Sequence, residues 1–372
     1  MSVRIQAVNN KKERKDFVNL PFKIYKDNAY WVPPIKADEL GVMDPKHNPA
    51  MEFCDTAFWV AYRDGKTVGR ISAIINHKYN EKMGQKLGRF SRLEFIDDKE
   101  VFLGLMDTAA AWLKERDMEI IHGPLGFTNL DNQGLMIEGF DHLASVASVY
   151  HLPYYKDHIQ AYGFEKEVDW LEFRLQVGEA SIKKAQRGAD LIKKRFGLEV
   201  IRFNTAKEML PYVERIFDIL SKAFAHLPYV IPFNKKMVDM YAKKYFKVIN
   251  PRYVCMVKDG DEVIGFIVAV PSLSEAMQKA KGRLYPFGFY HILKAMKHPQ
   301  LIDLFLGGVK PEYDKKGVAV IMYSEVQNQM MKEGIHIIET TGNIETNHNI
   351  ISNWKNFDHI QHKRRRCFVK AL

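Results

Sequence analysis

The chain is poor in cysteine. Cys54, Cys255 and Cys367 are its three among 372 residues. An odd, scattered set cannot pair fully within one chain and matches no metal-ligand spacing, so neither a disulfide framework nor a metal is expected. The simpler reading is a reducing cytoplasm. No apolar run reaches the roughly 18–20 residues that a membrane helix needs. The opening stretch MSVRIQAVNNKKERKDF has no apolar signal core, so no export is expected. G-x-x-x-x-G-K-[ST] is absent, and no G-x-G-x-x-G follows a strand, which excludes the common nucleotide loops. Acidic residues are outnumbered, 45 against 55 basic, for a net charge of +10. That excess favours an anionic partner: nucleic acid, anionic lipid or a phosphorylated ligand.

What is present is a globular composition, 47% hydrophobic and 27% charged, in a chain longer than one core usually serves. Two stretches are alike. FWVAYRDGKTVGRISAIIN (58–76) and RYVCMVKDGDEVIGFIVAV (252–270) each read as strand, Asp-Gly turn, strand. Their turn glycines, Gly65 and Gly260, lie 195 residues apart. Each is followed by a strand (89–97; 301–309), a helical stripe and a further strand, MEIIHG or IHIIET. The stripes are Val101, Leu105, Ala109, Leu113 and Val318, Met322, Val326, Met330. Each half then ends in a helix and a last strand. Element order therefore predicts an α/β (α+β) duplication, each copy a mixed, mostly antiparallel sheet flanked by helices. The boundaries read as 1–177, a connecting helix 178–198, and 199–372.

The run Asp314-Lys315-Lys316-Gly317-Val318-Ala319 opens the second helical stripe. A helix N-terminus presents unpaired N–H groups and partial positive charge. Gly317 lets backbone approach a ligand, and two lysines add charge. Together they predict a cradle for a pyrophosphate.

This run resembles the acyl-CoA loop of the GNAT acyltransferase superfamily, Gln/Arg-x-x-Gly-x-Gly/Ala at a helix start after a strand. The first position here is Asp314. Downstream, Asn347, Ile350 and Trp354 fall where that superfamily has Asn, a small apolar residue and an aromatic, often Tyr. The first half resembles the same fold, but its helix start, Asp97-Asp98-Lys99-Glu100, is a good cap and a poor phosphate site. Over the whole chain, LPFKIYKDNAYWVPP (20–34), VGRISAIINHKYN (68–80), GLMIEGFD (134–141) and GRLYPFGFYHIL (282–293) resemble tandem GNAT-like bacterial proteins. That group includes the bacterial ceramide synthase-like N-acyltransferases. The resemblance implies acyl transfer from acyl-CoA to an amine, a long-chain base in that subgroup. It implies acyl-CoA contacts from Lys315, Lys316, Gly317, Val318, Ala319 and Asn347.

Transfer from a thioester to an amine needs a base for the amine, donors for the oxyanion and a proton for the thiolate. Glu345, Glu339 and His348 are the base candidates, Glu345 first. Trp354 stands where a tyrosine acid is usual, so either Tyr323 or water protonates the thiolate, or coenzyme A leaves as the anion. The segment 272–300 is dense in aromatics between lysines. Tyr285, Phe287, Phe289 and Tyr290 are read as contacts for an acyl chain or lipid amine, or for the edge of an anionic membrane. That makes the expected location cytoplasmic, with peripheral contact at the inner membrane face. The apolar run 223–233 could line the same cavity. HKRRRC (362–367) reads as an anion-binding or solvated edge strand. Two alternatives stand beside the acyltransferase: an aminoacyl-tRNA-dependent transferase, disfavoured because long charged heptads are absent, and a non-catalytic acyl-CoA or anionic-surface binder. Nucleic acid is not the expected partner.

Overall fold

A computed structural model describes residues 2–246 and 248–372. The chain forms two compact units. One comprises Met1–Leu171, Ser274–His291 and His362–Leu372; the other comprises Glu172–Leu273 and Ile292–Gln361.

In the first unit the strands are β1 (Arg4–Ala7), β2 (Cys54–Arg63), β3 (Lys66–Asn76), β4 (Leu87–Phe95), β5 (Ile120–Gly123), β6 (Leu135–Glu138) and the start of β7 (Glu165–Gln176). β1 to β4 pair antiparallel in chain order. The helix Lys99–Lys114 then crosses over, and β5 returns parallel to β4. In the second unit β8 (Leu198–Arg202), β9 (Val254–Asp259), β10 (Glu262–Pro271) and β11 (Ile302–Val309) pair antiparallel in chain order. The helix Val318–Lys332 crosses over to β12 (Ile337–Thr340), parallel to β11, and β13 (Asn343–Ile344) follows. The duplication read from the sequence is present in both units, helices and hairpins included.

The Val-Gly and Ile-Gly of the two hairpins have one cause. A Cβ on Gly69 would lie 2.6 Å from Leu105 Cδ1, and one on Gly265 would lie 2.9 Å from Val318 Cγ1. Each crossover helix packs directly on its hairpin glycine. In the first unit Val101, Leu105, Ala109 and Leu113, all on one helical face, join Phe90, Phe95 and Ile121 in a single buried cluster.

The closing strands are exchanged. The last strand of the first repeat, β7, pairs antiparallel through Arg174–Gln176 with Ile337–Glu339 of β12, in the second unit. The last strand of the chain, β14 (Asp358–Ala371), pairs through Phe368–Ala371 with β5 and through Arg364–Arg366 with β6, in the first unit. The boundary at 177 and the assignment of all of 199–372 to one domain are therefore corrected. The division falls inside β7, and two later segments fold into the first unit. Ser274–His291 is held there by Gln278 Nε2 donating to the carbonyls of Ala29 (2.8 Å) and Trp31 (3.0 Å), and by Lys36 N donating to Gly282 O (3.0 Å).

HKRRRC is also not a solvated edge. Lys363 and Arg365 are buried. Lys363 Nζ donates to Leu143 O at 2.9 Å, and Arg365 to Gln133 O. Arg364 and Arg366 both hold the buried carboxylate of Asp169, at 3.0 and 2.8 Å. Burial against carbonyls and a carboxylate uses the charge that the sequence alone suggests for an anionic ligand.

Candidate active site

The second unit holds every cofactor and catalytic candidate named above. β11 pairs with β12 only over Ile302–Leu304 and Ile338–Thr340. It continues against β10 to Val309, with a register shift opposite Val268/Ala269. Beyond Leu304 the two parallel strands part, so the β12-facing edge of β11 runs on to Val309 without a strand partner among the described residues. Backbone groups along such an edge must find partners elsewhere.

After β11 a 3-10 turn, Pro311–Lys316, leads to Gly317, which has φ +77°, and then to the helix Val318–Lys332. No side chain caps this helix start. Its counterpart in the first unit is occupied: Asp98 accepts from Val101 N at 3.0 Å, and Arg63 forks onto Asp98 at 2.6 and 3.1 Å. That ion pair holds the Asp98 carboxyl down at about 2. The guanidinium bond is the main cause. The contrast read from Asp97-Asp98-Lys99-Glu100 is thus visible as geometry.

The loop's own residues are only partly as expected. Lys315 is exposed. Lys316 Nζ lies over the Tyr313 ring, 4.0 Å from its centre, and Tyr313 donates to Asp259 at 2.8 Å. Asp314 is turned to Asn349, whose Nδ2 donates to it at 2.9 Å. This bond ties the turn to the start of the short helix His348–Ile351. Gly317 also has a reason in packing. A Cβ there would meet Ile192 Cδ1 at 2.6 Å, on the helix Glu179–Phe196. One face of the bend is therefore closed by a side chain.

Asn347 caps His348–Ile351, its side chain accepting from Ile350 N at 3.4 Å. Glu345 is half-buried in the preceding loop, and His348 is exposed. Glu339 is buried on β12, opposite Arg174 in the register, and Arg174 donates to its Oε1 from Nε (2.8 Å) and Nη2 (2.6 Å). Asp303, also buried, is its parallel neighbour on β11. The Glu339 carboxylate is thus engaged by a guanidinium within the sheet. Tyr323, on the helix Val318–Lys332, packs edge-on to Trp354 with ring centres 5.6 Å apart. Burial pushes its phenol up, so it stays protonated. The Trp354 ring is buried, and its Nε1–H has no hydrogen-bond partner among the described residues. The sequence reading missed that donor.

The aromatic candidates Tyr285, Phe287, Phe289 and Tyr290 belong to the first unit. Tyr285 is 77% exposed, Phe287 73% and Tyr290 59%. Of the 223–233 run, Tyr229, Val230 and Ile231 are buried. The first unit also holds a group that sequence reading missed. Glu94, fully buried, accepts from Tyr25 Oη (2.7 Å) and Tyr155 Oη (2.8 Å), with Arg70 Nη2 at 3.7 Å. Burial raises its carboxyl despite the nearby guanidinium. Tyr25 and Tyr155 are 130 residues apart, and no spacing rule connects them.

Comparison with solved structures gives the class of fold. The tandem GNAT protein from the clavulanic acid biosynthesis pathway superposes with a TM-score of 0.59 at 11% identity, over 100% of this chain and 98% of that one. A probable N-acyltransferase from Enterococcus faecalis V583 does so with 0.54 at 8% identity, over 100% and 73%. The chain has the tandem GNAT fold, as the resemblance implied. No family model matches it. Among curated proteins it is similar to protein YghO of Escherichia coli (strain K12), 26% identical over 375 residues, 99% of this chain and 95% of that protein. It is also similar to a bacterial ceramide synthase of Caulobacter vibrioides (strain NA1000 / CB15N), 25% identical over 371 residues, 97% and 95%. Among the described residues no helix is long and apolar enough to cross a membrane.

Proposed function

We propose that the protein is an acyl-CoA-dependent N-acyltransferase acting on a hydrophobic, long-chain amine. The observation that carries this reading is the uncapped start of the helix Val318–Lys332, next in sequence to the parted edge of β11. Bare amides at a helix start suit the CoA pyrophosphate, and an unpaired strand edge suits an extended amide chain such as pantetheine. Lys315 adds charge at the mouth. The indole N–H of Trp354 is a donor for a buried ligand carbonyl.

In the reaction the amine nitrogen attacks the thioester carbon. The C–N bond forms, the C–S bond breaks, and the amine proton passes to Glu345. The departing thiolate takes a proton from Tyr323 or water. Glu339, held by Arg174, orders the strand ends rather than accepting the proton. The long-chain amine is supported by the likeness to a bacterial ceramide synthase and by the exposed aromatics Tyr285, Phe287 and Tyr290. Lys281, Arg283, Lys294 and Lys297, all exposed, flank those rings. Aromatics that lie between basic residues in the sequence suit an anionic bilayer surface, where such an amine would be found.

The test is a product mass spectrum after incubating the protein with mixed acyl-CoAs and a panel of amines. An N-acylated long-chain base is expected, with turnover in Glu345→Gln reduced about 10²–10⁴-fold while acyl-CoA still binds. Acylation confined to small polar amines would refute the substrate class. Binding of acyl-CoA with no product from any amine would support the second reading, a non-catalytic binder, which the tryptophan at the tyrosine position favours.

A further inference from the structure

Three different metal-ligating side chains meet in the first unit, outside the candidate site. His122 lies on β5, Cys367 on β14 and Glu167 on β7. Their ligand atoms all lie within 4.8 Å of one another. His122 Nδ1 is 3.2 Å from both carboxylate oxygens of Glu167, and Cys367 Sγ is 3.1 Å from Glu167 Oε2. We propose that His122, Glu167 and Cys367 form a binding site for a divalent transition-metal ion of the zinc type, with water as fourth ligand.

The register explains the convergence. Val369 pairs with His122 across β14 and β5. Side chains alternate along a strand, so Cys367, two residues before Val369, shares the face of His122. The three donors are far apart in sequence, 45 and 200 residues from Glu167, so no Cys-x-x-Cys type of spacing advertises them.

The donor set suits zinc. A thiolate, an imidazole and a carboxylate are each common zinc ligands. With bonds of about 2.0–2.3 Å, tetrahedral ligand atoms stand roughly 3.3–3.8 Å apart. The observed separations, 3.2 Å from His122 to Glu167 and 3.1 Å from Cys367 to Glu167, lie close to that range, and all three ligand atoms fall within 4.8 Å of one another. His122 and Cys367 are buried, while the Glu167 side chain is 29% exposed. The carboxylate side is where water and an entering ion have access.

Charge also closes. Arg89 is buried next to His122 in the β4–β5 register and donates to Gly126 O at 2.8 Å. With one thiolate and one carboxylate the loaded site is formally neutral beside that guanidinium, one positive charge more than the empty site once the thiol proton has left. Binding replaces the Cys367 S–H bond by an S–metal bond and releases the proton to solvent. Bound there, the ion would pin the chain's last strand to β5 and β7.

The experiment is a cobalt(II) titration of the full-length protein after chelator treatment, read by absorbance. Co²⁺ is the probe because its thiolate complexes give a sulfur-to-metal charge-transfer band. One equivalent per chain is expected to produce that band, and zinc is expected to abolish it by displacement. Cys367→Ser should remove the band, and Glu167→Gln should weaken binding at least tenfold. Glu167→Gln changes a partly exposed side chain and guards against a Cys367 variant that fails to fold. The proposal is overturned if excess Co²⁺ gives no band. It is equally overturned if the band survives Cys367→Ser, which would put the metal on Cys54 or Cys255, or if Glu167→Gln binds as tightly as the parent.

Discussion

Gly317→Ala separates two explanations of the same residue. As a cradle, Gly317 would be needed for a ligand; as a packing element, it is needed for Ile192. Its φ of +77° costs an L-residue about 1–2 kcal/mol. A new Cβ would stand 2.6 Å from Ile192 Cδ1, the free end of a flexible side chain, with Cγ1 next at 3.3 Å. Pushing that end aside belongs at the low end of overpacking costs, about 1 kcal/mol. The single variant should therefore lose about 2–3 kcal/mol. Ile192→Val deletes Cδ1 and alone costs about 0.5–1.5 kcal/mol. In the double variant the clash is gone and only the backbone strain remains, so the pair should couple favourably by about 1 kcal/mol. Urea unfolding read by NMR of fluorotryptophan at Trp354 measures this locally, since Trp31, Trp59, Trp112 and Trp170 all belong to the first unit. Additivity within about 0.4 kcal/mol would refute Ile192 as the group that demands the glycine. The folded double variant then reports on function: unchanged acyl-CoA affinity would confine the glycine to packing and count against the loop as the cradle.

Other outcomes follow from buried charge. His151 accepts from Met136 N at 3.2 Å, and burial, with Arg365 nearby, holds its pKa at about 3. The unfolded chain takes up that proton near pH 6.5. The stabilisation is therefore complete above pH 6.5 and falls as pH drops toward 3, by up to about 1.4 kcal/mol per pH unit. His151→Gln should flatten the difference between urea midpoints at pH 5 and 7. Asp169→Asn weakens the buried hold on Arg364 and Arg366 while Arg364 keeps Glu138 at 3.1 Å; losing these charge-assisted bonds should cost about 1.5–3 kcal/mol, read by denaturant titration. Phe287→Glu puts a charge on the exposed aromatic segment and should abolish sedimentation with anionic vesicles while leaving acyl-CoA binding intact.

The hydrophobic periodicity, the paired Asp-Gly hairpins and the order of elements were enough to read a duplicated α/β unit, because each is a local property with its own period. The contrast between a carboxylate-capped helix start at Asp98 and an uncapped one after Gly317 is local too, and it is present in the structure. The closing strands were not legible: β7 and β14 have similar patterns, and nothing local says which sheet edge each completes. That exchange decided the fate of HKRRRC, whose charges face Asp169 and backbone carbonyls instead of solvent. It also created the His122–Glu167–Cys367 meeting, since only strand pairing brings donors from residues 122, 167 and 367 to one face. Burial decided the roles of Glu94 and Glu339 in the same way. A carboxylate's partners, two tyrosines in one case and Arg174 in the other, arrive from distant parts of the chain, and only the packed structure determines whether it can take a proton.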